Sequence, residues 1–330
     1  MQRMRASNGS LVPAALVALV LGAGVLGAFG LRDGVAAGYP EKPIRVIVPW
    51  AAGGDTDIIV RLAASMAEKH LGQPLVVANI AGASGTTGAR EAKAAPPDGY
   101  TIYSVHDSIH TTFHVGMGNV SYQDFEPIAL LTSTYSIITT HGGAKWKTMQ
   151  ELIADAKQRP GQITMGASLG STSHFFPAMI EKAAGVKWKY VSYDGTAPRM
   201  TALLGGHIDL AESNLTQLEK AKGGQLRFLA VASEERLPEI PDVPTLKELG
   251  IPVFYAVNRG FLAPKGTPEE ALAKLEAAFE KVATDPAFEA EMAKQGTQVR
   301  FLGRKAYGEF LARNDVENAE IAAALGYKKK

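Results

Sequence analysis

The residues with the clearest chemistry form a glycine-lined bend at residues 50–56, Trp-Ala-Ala-Gly-Gly-Asp-Thr, just before a predicted helix. Glycine lets backbone N–H groups approach a ligand without a Cβ atom in the way. A helix N-terminus adds unpaired N–H groups and partial positive charge, which attract anions. The bend is therefore predicted to hold a carboxylate, and the alternative is an ordinary connection between a strand and a helix. The predicted ligand contacts here are Trp50, Ala52, Gly53, Gly54, Asp55 and Thr56.

Two later loops repeat this order of a strand, small polar residues and a helix. Residues 79–88 read Asn-Ile-Ala-Gly-Ala-Ser-Gly-Thr-Thr-Gly, and residues 166–173 read Gly-Ala-Ser-Leu-Gly-Ser-Thr-Ser. The glycines of the first loop match neither the dinucleotide-binding spacing nor the phosphate-loop spacing. No nucleotide and no other cofactor is therefore predicted.

Histidine and serine side chains raise two further chemistries. His106, His110 and His114 lie close in sequence, and imidazole is a common metal ligand. The spacing also suits a polar loop, and a predicted strand delivers residues 106–108 to its end, where ligands gather in open α/β sheets. Ser108 is therefore a predicted ligand contact, and no metal site is predicted. Ser168 and His174 can be imagined in a hydrolase triad, but hydroxyl groups that donate hydrogen bonds to a ligand are the preferred interpretation.

Composition indicates a folded globular protein with room for two α/β domains. The chain has 330 residues, of which 46% are hydrophobic and 20% are charged. Its formal net charge of +1 gives no reason to expect nucleic-acid binding. The absence of cysteine excludes disulfides, thiolate nucleophiles and cysteine-based metal sites, and it suits an oxidising compartment.

The first 38 residues are predicted to be a cleaved secretory signal peptide. Arg3 and Arg5 precede an uncharged apolar run at 11–31, and Val35-Ala-Ala then offers small residues for cleavage. The apolar run is long enough to span a bilayer, so an uncleaved anchor is the alternative. The mature protein is predicted to lie in the periplasm.

The order of elements predicts two domains, one of them inserted in the other. Strands alternate with helices, which predicts parallel sheets. Two long β segments, 128–140 and 253–263, bracket a middle block and are predicted to form a hinge with a ligand cleft between the domains. A helix is predicted around Leu246, and two shorter helices are predicted to close the chain. The predicted boundaries are 39–131 with 257–330 for domain 1, and 132–256 for domain 2.

Short stretches spread along the mature chain carry a family resemblance. They are residues 39–54, Asp57-x-x-x-Arg61 and residues 79–88, 98–101, 193–198, 203–209, 241–245 and 259–266. In their order and coverage the chain resembles the Bug family of solute-binding proteins of tripartite tricarboxylate transporters. The resemblance implies a type II periplasmic binding protein: two α/β domains, joined by two hinge strands, that close on an organic acid. Its implied partners are the membrane permease subunits and a di- or tricarboxylate, amino acid or aromatic acid, and the protein is expected to be a monomer.

The resemblance also implies where the ligand is held. In the family, the loops after the first two strands hold a carboxylate through backbone groups and waters, and the second domain closes over it. The residues implied beyond the first bend are Ala83, Ser84, Thr86, Thr87, Ser168, Ser171, Thr172, Tyr193, Asp194 and Asn214. Arg259 is a further candidate that can reach a second carboxylate bidentately, and its alternative role is pairing with a structural acid.

Asp55 departs from the family pattern, which more often has a small or hydroxyl residue at this position. A carboxylate that faced the cleft would repel an anionic ligand. Three interpretations stay open: Asp55 caps the helix and points away, it pairs with a ligand ammonium or hydroxyl group, or it binds a metal together with Asp57. Only the second changes the class of ligand.

Overall fold

The computed structural model describes residues 38–327, so the predicted signal peptide lies outside the described residues except for Gly38. The strands are β1 Ile44–Val48, β2 Leu75–Asn79, β3 Thr101–His106, β4 Phe125–Tyr135, β5 Ile137–His141, β6 Thr164–Ala167, β7 Lys189–Ser192, β8 Leu210–Ser213, β9 Leu226–Val231, β10 Ala256–Pro264 and β11 Gln298–Gly303. The helices are α1 Asp55–Leu71, α2 Thr86–Ala94, α3 Ser108–His114, α4 Met149–Gln158, α5 Thr172–Ala184, α6 Thr196–Leu204, α7 Leu218–Lys222, α8 Glu269–Ala283, α9 Pro286–Lys294 and α10 Arg304–Ala324. None of the helices within residues 38–327 is both long and apolar enough to cross a lipid bilayer.

The first sheet has six strands in the order β11-β4-β10-β3-β1-β2. Side chains alternate between its two faces, so Val46 and Val48 of β1 pack in a core with α1 and α8. Ile47 of the same strand packs in a second core, with α2, α3 and α10. The sheet is thus buried on both faces, and its strand ends present loops to solvent or to the cleft.

The second sheet has five strands in the order β7-β6-β8-β5-β9. Met165 and Ile138 of this sheet pack against Phe176 of α5 and Leu152 of α4. A smaller cluster under α6 includes Leu203. We refer to the first sheet with its helices as lobe 1 and to the second sheet with its helices as lobe 2.

The chain crosses between the lobes twice, on neighbouring strands. Ser136 alone separates β4 in the first sheet from β5 in the second. Its N–H donates to the carbonyl of Tyr255 at 3.1 Å, and the Tyr255 N–H donates to the carbonyl of Ala232 at 3.0 Å, just before β10 returns to the first sheet. We propose this crossing as the domain boundary and hinge, close to the expected boundaries at 131/132 and 256/257.

Three expectations about the elements are wrong. The sheets are mixed, because β10 runs antiparallel to β3 and β4, and β5 runs antiparallel to β8 and β9. A strand that enters a sheet directly from the other lobe needs no crossover helix, so it is free to run antiparallel. Leu246 lies in turns and not in a helix; its N–H donates to the carbonyl of Val231 at the end of β9. The prediction that two shorter helices close the chain is also wrong. This segment contains the strand β11, and its last helix, α10, has 21 residues, more than the 15 of α8.

Candidate functional site

A small polar cavity lies between the lobes where three helices begin. Gly54, at the start of α1, faces the start of α6, since a Cβ atom built on Gly54 would lie 3.7 Å from the Ala197 nitrogen. The cavity is lined by Trp50, Gly54, Asp55, Thr56, His106, Ser168, Ser171, Thr172, Ser173, Gly195, Thr196, Arg199, Glu212, Val257 and Arg259. The starts of α1, α5 and α6 are all in this lining, so three helix starts lie around one cavity. The enclosed volume is about 30 Å³, room for one or two water molecules.

Asp55 joins the two lobes through a buried set of contacts. Its Oδ2 accepts hydrogen bonds from the Arg259 guanidinium of β10 and, at 2.9 Å, from Nδ2 of Asn214 in lobe 2. Its Oδ1 accepts the Thr196 hydroxyl of α6 at 2.7 Å. The side chains of Arg259 and Asp55 are only 3% and 11% exposed. A single carboxylate therefore ties the first bend to both the hinge strand and the second lobe.

These contacts decide the ionisation of Asp55. Burial alone would raise the pKa of the carboxyl group, but Arg259, the Thr196 hydroxyl and the more distant Arg199 together hold this pKa well below its usual range. The carboxylate is thus charged at any physiological pH. The interpretation that Asp55 caps α1 and points away is wrong, because Gly54 is the residue before the helix and Asp55 lines the cavity. Asp57, two residues further along in the same turn, accepts the Gly53 N–H instead.

A second buried ion pair lies on the lobe 2 side. Arg199 of α6 donates to Oε2 of Glu212 in β8 at 2.7 Å, with both side chains at most 6% exposed. Glu212 Oε1 also accepts the hydroxyl of Ser136, the residue at the lobe crossing. Burial raises the pKa of Glu212 and outweighs the stabilisation by Arg199. The pair links the cavity wall to the hinge.

An aromatic stack forms the lobe 1 wall of the cavity. The rings of Trp50 and His106 lie parallel, with their centroids 4.9 Å apart. Burial and the nearby Arg259 lower the pKa of His106 to about 3, so its ring is neutral. Nδ1 accepts the Ser108 N–H at 3.2 Å, so in the neutral ring the proton lies on Nε2 and makes that atom a donor. Ser108 itself lies behind this ring and not in the cavity wall.

The second bend contacts the site only from outside. Gly85 has a φ of +91°, and a Cβ atom there would lie 3.1 Å from Cζ2 of Trp50, so the bend packs on the tryptophan. The Ser84 N–H points across to Asp194 Oδ1 of lobe 2 at 3.4 Å. The predicted contacts that lie outside the cavity lining are Ala52, Gly53, Ala83, Ser84, Thr86, Thr87, Ser108, Tyr193, Asp194 and Asn214. Asn214 still belongs to the site through its bond to Asp55.

A family model agrees with this architecture. Residues 59–326 match the model described as "Tripartite tricarboxylate transporter family receptor". The chain belongs to this family. The predicted membership, reached from the eight stretches of sequence, is confirmed.

Individual relatives extend the match over most of this family receptor. A UPF0065 protein from the gbd 5′ region of Cupriavidus necator is 34% identical over 294 residues, which cover 88% of the chain and 90% of the relative. The solved structure of the periplasmic binding protein BugD is 32% identical with a TM-score of 0.85, covering 88% and 100% of the two chains. Rpa4515 of R. palustris, solved with adipate, is 27% identical with a TM-score of 0.83, covering 87% and 98%. The predicted fold class, two α/β domains of the periplasmic binding type, is confirmed.

Arg199, Glu212 and Val257 of this receptor are cavity residues that sequence reasoning missed. Glu212 carried a usable signal, since an acidic side chain within the short strand at 210–213 needs a partner when it is buried. Arg199 lies three residues after the start of α6, so its side chain can return to the cavity beside Thr196. Val257 carries no signal beyond its place in the hinge strand.

The loop around Ser168 carries the one motif that favours catalysis. Residues 166–170 read Gly-Ala-Ser-Leu-Gly, which has the spacing of the nucleophile elbow of α/β hydrolases. The Ser168 hydroxyl, however, donates to the Tyr193 carbonyl at 2.6 Å and accepts the Gly195 N–H at 3.1 Å. Nδ1 of His174 accepts the Gly170 N–H. These backbone contacts give Ser168 a role in joining the loops before α5 and α6.

The other histidines of the 106–114 stretch lie away from the cavity. Nδ1 of His110 and Nε2 of His114 both lie within 3.0 Å of Oδ1 of Asp315 in α10. Over residues 38–327, no group of three or more histidine or acidic side chains has an arrangement suited to a metal ion.

Proposed function

We propose that this protein is an extracytoplasmic solute-binding protein that captures a small organic acid between its lobes and delivers it to a tripartite tricarboxylate-type membrane transporter. The observation that carries this proposal is the meeting of the starts of α1, α5 and α6 in one cavity. Each contributes partial positive charge and unpaired amide donors, which suit a carboxylate. Rpa4515, which has the same fold, was solved with adipate.

The proposed cycle needs the lobes to separate. The present cavity of about 30 Å³ is too small for any organic acid, so the lobes must move apart before an acid can enter. Opening at the crossing around Ser136 exposes the helix starts, and closure then surrounds the acid with donors from both lobes. We further propose that the mature protein works as a periplasmic monomer, with its two domains divided at the crossing around Ser136 and Tyr255, and that it docks on the permease when closed.

A melting screen tests the proposal directly. A ligand that binds only the native state raises the melting temperature by mass action. Citrate, aspartate, adipate and terephthalate are suitable first probes, with the acid recovered afterwards and analysed for chemical change. A shift with unchanged acid supports binding, whereas chemical change of the acid supports the alternative of an enzyme.

A variant of α5 tests the helix-start mechanism. Thr172 is the first residue of α5 and follows an extended Ser171, so proline fits there without breaking the helix. Thr172→Pro removes one amide donor, and we expect about tenfold weaker binding of the acid found in the screen. Thr172→Val is the matched control, since it keeps the amide and removes only the hydroxyl. Equal affinities of the two variants would contradict a role for the amide.

A further inference from the structure

The charged side chains of the cavity are already balanced without a ligand. Among the residues that the structure describes, those lining the cavity include two arginines, Arg199 and Arg259, and two acids, Asp55 and Glu212. Each arginine is paired with one of the acids. A ligand with two or three carboxylates therefore finds no guanidinium that is not already neutralised.

The remaining positive charge comes from helix starts and suffices for about one carboxylate. Asp55 lies in the first turn of α1, and its negative charge offsets the partial positive charge of that helix start. The first turns of α5 and α6 in lobe 2 carry no acidic residue. At roughly half a unit charge each, these two helix starts together match a single negative charge. Arg199 Nε and Trp50 Nε1 are buried without a hydrogen-bond acceptor among the described residues, and they add two donors at the cavity wall.

Asp55 faces the cavity with acceptor capacity to spare. Its Oδ2 is engaged by Arg259 and Asn214, whereas its Oδ1 receives only the Thr196 hydroxyl. An ionised carboxylate has about four acceptor positions, so Oδ1 can accept one more donor. That position lies between α1 and α6, next to the helix starts that suit a carboxylate.

We propose, resting on the proposed function, that the ligand is a small amino acid in its zwitterionic form. Its carboxylate lies at the starts of α5 and α6, and its ammonium group donates to Oδ1 of Asp55. A di- or tricarboxylate would place a second negative charge against Asp55 and is selected against. The site thus adds a requirement for a cationic group to the carboxylate recognition already proposed.

Matched pairs of acids that differ only in the ammonium group test this inference. L-Aspartate with succinate, L-glutamate with glutarate, L-leucine with 4-methylpentanoate and L-phenylalanine with 3-phenylpropanoate are titrated calorimetrically into the full mature chain. We expect at least one amino acid to bind with a dissociation constant tenfold or more below that of its partner. Asp55→Asn keeps the acceptor oxygen but removes the charge, and we expect it to reduce that ratio to threefold or less.

Asp57→Asn is the matched control, because Asp57 lies in the same turn of α1 but outside the cavity lining; we expect it to keep the wild-type ratio. Binding of a des-amino acid as tight as that of its amino acid would overturn the inference and leave the proposed function intact. A preference that survives in Asp55→Asn would also overturn it. No binding of any of the eight acids would overturn the inference, and the melting screen with citrate, adipate and terephthalate would then decide the proposed function separately. Even if the Asp55 variant fails to fold, the ratio of the two dissociation constants measured with the wild-type protein tests the preference for an ammonium group.

Discussion

At the scale of single residues, the Asp55–Arg259 ion pair is the buried contact that holds the Asp55 carboxylate in the cavity wall. Removing one partner of a buried ion pair leaves the other charge unsolvated, which costs about 3 kcal/mol. We therefore expect Asp55→Ala and Arg259→Met each to lower the free energy of unfolding by about that amount. The double variant should lose at least 1 kcal/mol less than the sum of the two. Urea unfolding of all four proteins measures this coupling.

The exposed pair of Arg45 and Glu91 provides the control for this cycle. Both side chains are 44% exposed, so solvent screens their attraction. Glu91→Ala should leave the unfolding midpoint close to that of the wild type. If the Asp55 and Arg259 effects simply add, the two side chains do not depend on each other and the buried pair has no special role.

Asp107 is expected to make the folded protein less stable as the pH rises, which is the opposite of the effect of a carboxyl group whose pKa is lowered by folding. Burial raises the pKa of its carboxyl group to about 6, although the backbone N–H and the side-chain amide of Asn258 oppose the shift. At pH values between 3.8, the ordinary pKa of an aspartic acid, and about 6, the Asp107 carboxyl group is protonated in the folded state and ionised in the unfolded state. Stability from this group is therefore highest at low pH and falls as the pH rises through that window.

Asp107→Asn should remove this penalty, because the amide is uncharged and its oxygen still accepts from Asn258. We expect the variant to be more stable than the wild type at pH 7.5 by about 1–3 kcal/mol, and the difference to shrink as the pH approaches 4. Chemical unfolding at pH 4, 5, 6 and 7.5 measures it. A stability difference that does not change with pH would mean that Asp107 titrates normally.

Residue roles were predictable where chemistry is local and hidden where it depends on pairing. The first bend could be proposed as a site from the local sequence, because its glycines directly precede a predicted helix, although the same order also occurs in an ordinary strand–helix connection. Asp55 could be recognised as anomalous, but the identity of its partners could not, because Asn214 and Arg259 are 159 and 204 residues away. The Arg199–Glu212 pair spans only 13 residues, but its partners lie on α6 and β8, and the sequence does not show that these two elements pack together. Long-range ion pairs leave little trace in a single sequence.

At the scale of elements, two helical glycines should respond to alanine in opposite directions. Alanine favours helix by about 1 kcal/mol over glycine. At Gly308 in α10, a new Cβ atom would meet only Pro127, at 3.5 Å, so Gly308→Ala should stabilise by about 0.5–1 kcal/mol. At Gly88 in α2, the same atom would lie 2.9 Å from backbone atoms of Ile80 and Pro49.

The steric clash at Gly88 outweighs the helix preference, because backbone atoms cannot rotate aside. We expect Gly88→Ala to destabilise by about 1–3 kcal/mol and to disturb the bend that follows β1 at Pro49. Thermal unfolding of the two variants side by side measures both signs. Stabilisation by Gly88→Ala would show that α2 can move away from β1 at little cost.

Elements with strong local signals were predicted well, and those defined by the sheet were not. Thr148, as a capping residue, predicts a helix over 149–158. The helix α4 has those bounds, and the Thr148 hydroxyl accepts the Glu151 N–H. The single strand predicted over 128–140 is two strands in different sheets. Both halves are apolar and β-branched, so periodicity does not reveal that Ser136 is where the chain changes lobe.

At the scale of the whole molecule, the hinge and the cavity are joined by the same charged network. Arg259 lies on the returning hinge strand, and Glu212 contacts Ser136 on the outgoing one. Opening the cleft must break the bonds of Asp55 to Thr196 and Asn214, whereas its bond to Arg259 stays within lobe 1. The closed state is thus held partly by contacts that a ligand would rearrange.

A disulfide across the cleft should lock the molecule closed and exclude ligand. A Cβ atom built on Gly54 would lie 3.7 Å from Cβ of Thr196, within the range for a disulfide, and the chain has no cysteine of its own. We expect oxidised Gly54→Cys/Thr196→Cys to lose binding of the acid that stabilises the wild type, and reduction to restore it. Because both measurements use the same variant, loss of the native side chains cannot account for a difference. Small-angle scattering without ligand should show a larger radius of gyration after reduction. Equal ligand binding by the oxidised and the reduced variant would mean that the ligand reaches the site without separation of the lobes.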